Sequence, residues 1–150
     1  MSNWRSLLVV VGMLSFIPVA TAAELEGIGK VRILTGDSHL VRSGKPIDTK
    51  VGAIVQRSDV IETGADSTMG ITFNDNTVFS AGPNSHVEMK EFKFNPVTLK
   101  GSFLAKLGRG TLSVISGDIA RGSPSAMKIR TPSAILGVRG TRFLVRVNDK

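Results

Sequence analysis

The stretch Met127-Lys-Ile-Arg-Thr-Pro-Ser-Ala-Ile-Leu-Gly-Val-Arg-Gly-Thr-Arg-Phe-Leu-Val-Arg-Val147 reads as two β-prone runs, residues 127–131 and 141–147. Between them lie a stiff corner at Pro132 and two glycines, Gly137 and Gly140, that bracket Val138 and Arg139. The second run alternates. Phe143, Val145 and Val147 fall on one side and Arg142, Leu144 and Arg146 on the other, because successive strand side chains point to opposite faces. The aromatic-bearing set is expected in the core, which leaves the arginines outward around Leu144.

Residues 68–73 follow the same pattern, with Met69, Ile71 and Phe73 alternating with Thr68, Gly70 and Thr72, so one face is expected to be buried. Asn74-Asp75-Asn76 makes the next turn, since Asn and Asp tolerate left-handed backbone angles, and residues 77–81 return with Phe79 inward. After Gly82-Pro83-Asn84-Ser85, residues 86–94 place Val87 and Met89 on one side and Phe92 and Phe94 on the other. A bulge near Glu91 would reconcile that change of phase. Residues 101–107 and 110–116 are expected as another pair joined at Gly108-Arg109, followed by a loop or short turn around Ile119 and Ala120. Toward the start, residues 29–35 and 38–42 flank Gly36-Asp37, which suits an opening hairpin. Residues 47–62 read as one strand or two short ones. No stretch after residue 23 sustains helical periodicity over the ~10 residues a helix requires. The expectation is an all-β fold, a single domain of short, mostly antiparallel strands forming a sandwich, roll or partly closed barrel.

A chain of 150 residues fits one domain. Residues 1–23 read as a secretory signal: Arg5 gives a basic start, an apolar run follows from Leu7 to Val19, and cleavage is expected after Ala22 or Ala23. That run falls short of the ~20 residues a spanning helix requires. Residues 24–150 are then the exported β domain, periplasmic or secreted. It contains no cysteine, so its stability rests on the core, and thiol catalysis and cysteine-bound metals are excluded.

Little points to catalysis. His39 and His86 stand in no short-range metal spacing and read as solvent-facing strand residues. The pairs Asp37/Asp48 and Glu88/Glu91 read as surface charges. Asp75 could ligate Ca²⁺, but its loop lacks the number of oxygens that cation takes, and a turn role is preferred. Residues 137–140, Gly-Val-Arg-Gly, lack the spacing of a phosphate-binding loop. No catalytic residue, metal or cofactor is expected.

Charge is uneven. Residues 24–100 hold nine Lys or Arg against ten Asp or Glu, whereas residues 101–150 hold nine against two. The basic third would attract anionic partners. Arg130, Arg142 and Arg146 are expected to form its partner-binding face, although a plain solvated face is the alternative. Arg139 is either a structural arginine bonding loop carbonyls, the preferred role, or an exposed ligand for a partner carboxylate or phosphate. Nucleic acid is disfavoured, because the exported part has no Tyr or Trp for stacking. Contact with an anionic membrane surface would gain only ~1 kcal/mol per cation and would assist rather than define location.

The ending resembles that of the FecR domain family, in which a Thr-Pro-x-Ala stretch runs into Val-Arg-Gly-Thr-x-Phe-x-Val. The likeness extends over residues 31–147, through Val51-Gly52, Ser58-Asp59-Val60-Ile61-Glu62-Thr63-Gly64-Ala65-Asp66-Ser67, Ile71-Thr72-Phe73 and Gly82-Pro83-Asn84-Ser85. It departs where the usual Asp-Gly-Ser turn is Asp75-Asn76-Thr77, and where Arg142 replaces an acidic residue. The resemblance implies a periplasmic β domain. Regulators of that family carry a cytoplasmic anti-sigma segment and a spanning helix ahead of this domain. Here a signal peptide is expected instead, so sigma control is not carried over.

These features together predict a non-enzymatic exported module of the bacterial envelope. It would bind a protein or cell-wall polymer through strand edges or a basic C-terminal face. The alternatives are an enzyme acting on an envelope polymer and a self-assembling structural protein.

Overall fold

The computed structural model describes residues 26–148 apart from Pro124 and Thr141, so the expected signal segment, residues 1–23, lies outside the described residues. Twelve strands and one short helix follow in order: β1 Gly27–Thr35, β2 Ser38–Arg42, β3 Lys45–Ile47, β4 Ile54–Gln56, β5 Val60–Thr63, β6 Thr68–Phe73, β7 Val78–Ala81, β8 His86–Asn95, β9 Lys100–Ile115, α1 Asp118–Gly122, β10 Met127–Arg130, β11 Ile135–Val138 and β12 Arg142–Val147. They make one open twelve-stranded sheet, antiparallel except where β10 runs parallel to β9. The all-β, mostly antiparallel expectation holds.

The sheet is organised on β9. Its first part pairs with β8, beyond which lie β5, β2 and β3; its second part pairs with β7, beyond which lie β6, β1 and β4. Along its other edge, β10 with β11 beyond it flanks the first part and β12 flanks the second. Register shows that β9 doubles back. Val138 in β11 is level with Met127 and Phe103, whereas Arg142 is level with Ile115. The four steps from residue 138 to residue 142 span at most about 14 Å. A straight β9 would hold positions 103 and 115 roughly 40 Å apart. The sheet therefore folds over itself into two layers.

The bend lies at residues 108–110, where the β8–β9 register shifts and Gly110 has φ +88°. A Cβ on Gly110 would come within 2.4 Å of Ser85 Cα. The expected hairpin at Gly108-Arg109 is thus one bent strand. A two-residue hairpin turn places positive φ within its central pair, and here the left-handed residue is Gly110, one position later. The opening hairpin also gives way to a different arrangement. β1 pairs with β4 and β6, while β2 pairs with β3 and β5, so Gly36-Asp37 carries the chain from one layer to the other. Ser67 fixes that corner by accepting the Asp37 N–H at 2.9 Å. Residues 135–138, which the sequence did not mark as a strand, form β11.

The core lies between the layers. Phe73 and Phe79 from the second layer meet Phe92 and Phe103 from the first, with Phe73–Phe103 centroids 4.8 Å apart and Phe79–Phe103 5.2 Å. Such edge-to-face and stacked pairs add to the apolar burial itself. The bulge expected near Glu91 is present between Met89 and Glu91, and it keeps Val87, Met89 and Phe92 all inward. Buried Ile119 and Ala120 anchor α1. Asp75 ties the preceding turn to that helix: its carboxylate accepts from Thr77 N–H and Oγ1–H at 3.1 and 2.7 Å and from Ile119 N–H at 3.4 Å. These bonds account for Asp75 as a structural turn residue.

Candidate functional site

β12 is the edge strand of the second layer. Phe143, Val145 and Val147 turn toward the core, while Arg142, Leu144 and Arg146 stand outside, as the alternation predicts; Leu144 is 67% exposed. Arg142 and Arg146 share one face, roughly 13 Å apart at ordinary strand rise. Arg130 is also exposed, but on the outer face of the first layer, level with Ile135 on β11 and Lys106 on β9. Two layers that share a core turn their outer faces away from each other. The structure therefore groups Arg142 with Arg146 and sets Arg130 apart, beside Lys128 and Lys106.

Arg139 lies in the short crossing from β11 to β12, exposed, with no hydrogen bond or ion pair among the described residues. A Cβ on either flanking glycine, Gly137 or Gly140, would meet nothing within 4 Å. Val138 beside it is buried in the core, so the crossing is anchored while the Arg139 side chain itself is exposed and bonds none of the described loop carbonyls. None of Arg130, Arg139, Arg142 and Arg146 forms an ion pair among the described residues.

Several cations of the first layer are bonded, although Lys45, Lys128 and Arg130 form no ion pair among the described residues. Arg42 donates through Nε and Nη2 to the two carboxylate oxygens of Asp59, both at 2.8 Å, and Asp59 also accepts the Gln56 N–H at 2.8 Å. Asp59 is fully buried. Its hydrogen bond and charge raise the Arg42 pKa above its already high value, against the opposing effect of burial. Glu88 takes Lys90 and Lys106 as partners, and the Lys90 hydrogen bond is the main reason its carboxyl is held below the usual glutamate range.

One grouping escaped the sequence. His39, Glu62 and His86 lie side by side on β2, β5 and β8, with Glu62 Oε2 3.5 Å from His39 Nε2 and Glu62 Oε1 3.0 Å from His86 Nδ1. Only the long-range pairing of three strands brings these residues together, so no local spacing could have announced them. Each carboxylate oxygen addresses a different ring, and among the described residues no three such groups are arranged to hold a metal ion.

Surface clefts open among the described residues around this framework, and three bear on the site. One of about 380 Å³ opens beside Gly27, Arg57, Asn74 and Phe92; a second lies along Glu91, Leu104 and Lys128; a third of about 580 Å³ separates the Thr131–Ser133 turn from Val145, Arg146 and Val147. None is lined by two carboxylates, the pairing that glycoside hydrolysis requires.

Residues 59–150, more than half of the chain, match the family model described as FecR protein. The chain belongs to the FecR family. No curated protein and no solved structure matches it. In this FecR chain the matched part begins at Asp59, the buried partner of Arg42, and runs through β9 to the end. Several of the motifs that carried the resemblance fall on corners. Ser58, Asp66, Asn76 and Asn84 all adopt positive φ, the conformation that short polar side chains tolerate best.

Proposed function

We propose that this FecR chain is a non-enzymatic interaction module of the bacterial envelope, exported by way of residues 1–23 to the periplasm or beyond. It binds its partner at the β12 edge, through Arg142 and Arg146 and with Arg139 at the rim. The observation that carries this reading is that Arg142 and Arg146 share the outer face of a free edge strand and form no ion pair among the described residues, whereas Arg42, Lys90 and Lys106 are paired with carboxylates. Unpaired arginines on an exposed strand steer and orient an acidic surface, affecting association rate and specificity more than the stability of the fold. Family membership agrees with an envelope-associated interaction role. None of the three clefts described above carries the two carboxylates that a glycoside-hydrolysing version of the competing role requires.

Crosslinking of tagged protein in its native envelope fraction, followed by mass spectrometry, tests the proposal, with an Arg142→Glu/Arg146→Glu variant in parallel. A specific protein captured by the parent and lost in the variant is the expected result. The same captures from both would overturn it.

A further inference from the structure

Resting on that reading, we infer the kind of partner: β12 accepts, by strand addition, an extended segment of another protein with acidic side chains four residues apart on either side of an apolar one. β12 pairs with β9 along six residues, from Arg142 opposite Ile115 to Val147 opposite Gly110, and no other strand among the described residues pairs with it. Half of its backbone N–H and C=O groups therefore face outward as a template for another strand. The other strands that end the sheet are poorer templates. β3 and β4 have three residues each, β3 includes Pro46, which lacks an N–H, and β11 has four residues including Gly137.

The side chains define what the added strand must carry. Across the outer face, Leu144 is followed by Ser113, Ser80, Gly70 and Ile33 in register. Ser113 is too short to cover Leu144, so its remaining apolar surface turns toward the vacant neighbouring position. An apolar residue there would bury it. Arg142 and Arg146 flank that position on the same face, and opposite charges directly across an antiparallel pair attract while like charges repel. A second copy of this chain fits badly. Antiparallel pairing centred on Leu144 would set Arg142 of each copy against Arg146 of the other. An acidic–x–apolar–x–acidic segment satisfies all three positions.

The probe is the synthetic peptide Thr-Glu-Thr-Ile-Thr-Glu-Thr, titrated into isotope-labelled protein and followed by backbone amide NMR shifts, which register weak binding. Its controls are the same peptide with lysines for glutamates, and a scramble of equal charge with the glutamates adjacent. The acidic peptide is expected to bind about tenfold more tightly than the lysine peptide, to shift amides at 142–147, and to exceed the scramble severalfold. In Arg142→Glu/Arg146→Glu protein the preference should invert toward lysine. Failure to invert, equal binding of the scramble, or no shifts at 142–147 would overturn the inference. If envelope crosslinking still loses its partner in the variant while the peptides show no inversion, the interaction module stands and strand addition falls. If the peptides invert but no partner depends on the arginines, the strand chemistry stands and the envelope role falls.

Discussion

Arg42 and Arg142 are the same side chain in opposite circumstances. Arg42 meets a fully buried carboxylate in a two-pronged hydrogen bond and fixes the corner before β5, while Arg142 projects from an edge strand without an ion pair among the described residues. The contrast extends to their regions. In the first layer, Glu88 gathers Lys90 and Lys106, and Glu62 bridges two imidazoles; along β12, Arg142 and Arg146 form no ion pair among the described residues. Charge that is already bonded holds the fold, and charge left unbonded is free to act on something else.

The largest effect should come from the bonded side. Asp59→Ala leaves Arg42 half-buried without its partner and removes the acceptor for Gln56 N–H, so urea denaturation should show a loss of about 3–5 kcal/mol. Asp75→Ala strands the Thr77 and Ile119 donors and should cost about 3 kcal/mol in the same assay. Glu88→Gln should cost less than ~1 kcal/mol at neutral pH, as partly exposed pairs do. Its sign with pH is specific. The folded-state pKa is lowered, chiefly by the Lys90 hydrogen bond, so Glu88 stabilises fully above the ordinary glutamate range, and that contribution disappears as pH falls through the lowered value. Below that lowered value the parent and variant stabilities should therefore converge. Smallest of all, Arg142→Glu/Arg146→Glu should leave stability within ~0.5 kcal/mol. A loss approaching that of Asp59→Ala would erase the distinction between the two arginines.

What could be read in the sequence was phase. β6, β12 and the bulged β8 showed their inward residues by alternation, a property of consecutive side chains. What could not be read was partnership. Gly36-Asp37 would serve a hairpin or a passage between layers equally well, and the choice is made by β4 and β6 on one side and β3 and β5 on the other. Gly108 and Gly110 likewise suit either a turn or a bend. At the candidate site, the outward direction of Arg142 and Arg146 followed from alternation, but the separation of Arg130 follows from folding of the sheet. The exposure of Arg139 between two paired strands is likewise set by where β11 and β12 find their partners. His39 and His86 meet through Glu62 only after three strands have paired.

The shared strand has a consequence for how the molecule comes into being. β7 and β8 both need β9 as a neighbour, and β10 and β12 have nothing else in the sheet to join but β9 and the small β11. A nascent chain that ends at Asn95 can pair β3-β2-β5-β8 and β7-β6-β1-β4 but cannot join the two sets, because residues 100–115 belong to both layers. Closure must therefore await the final third and proceed through distant pairings, a topology whose folding falls in the millisecond-to-second range. Under the export proposed above, that delay keeps the polypeptide threadable until it has crossed.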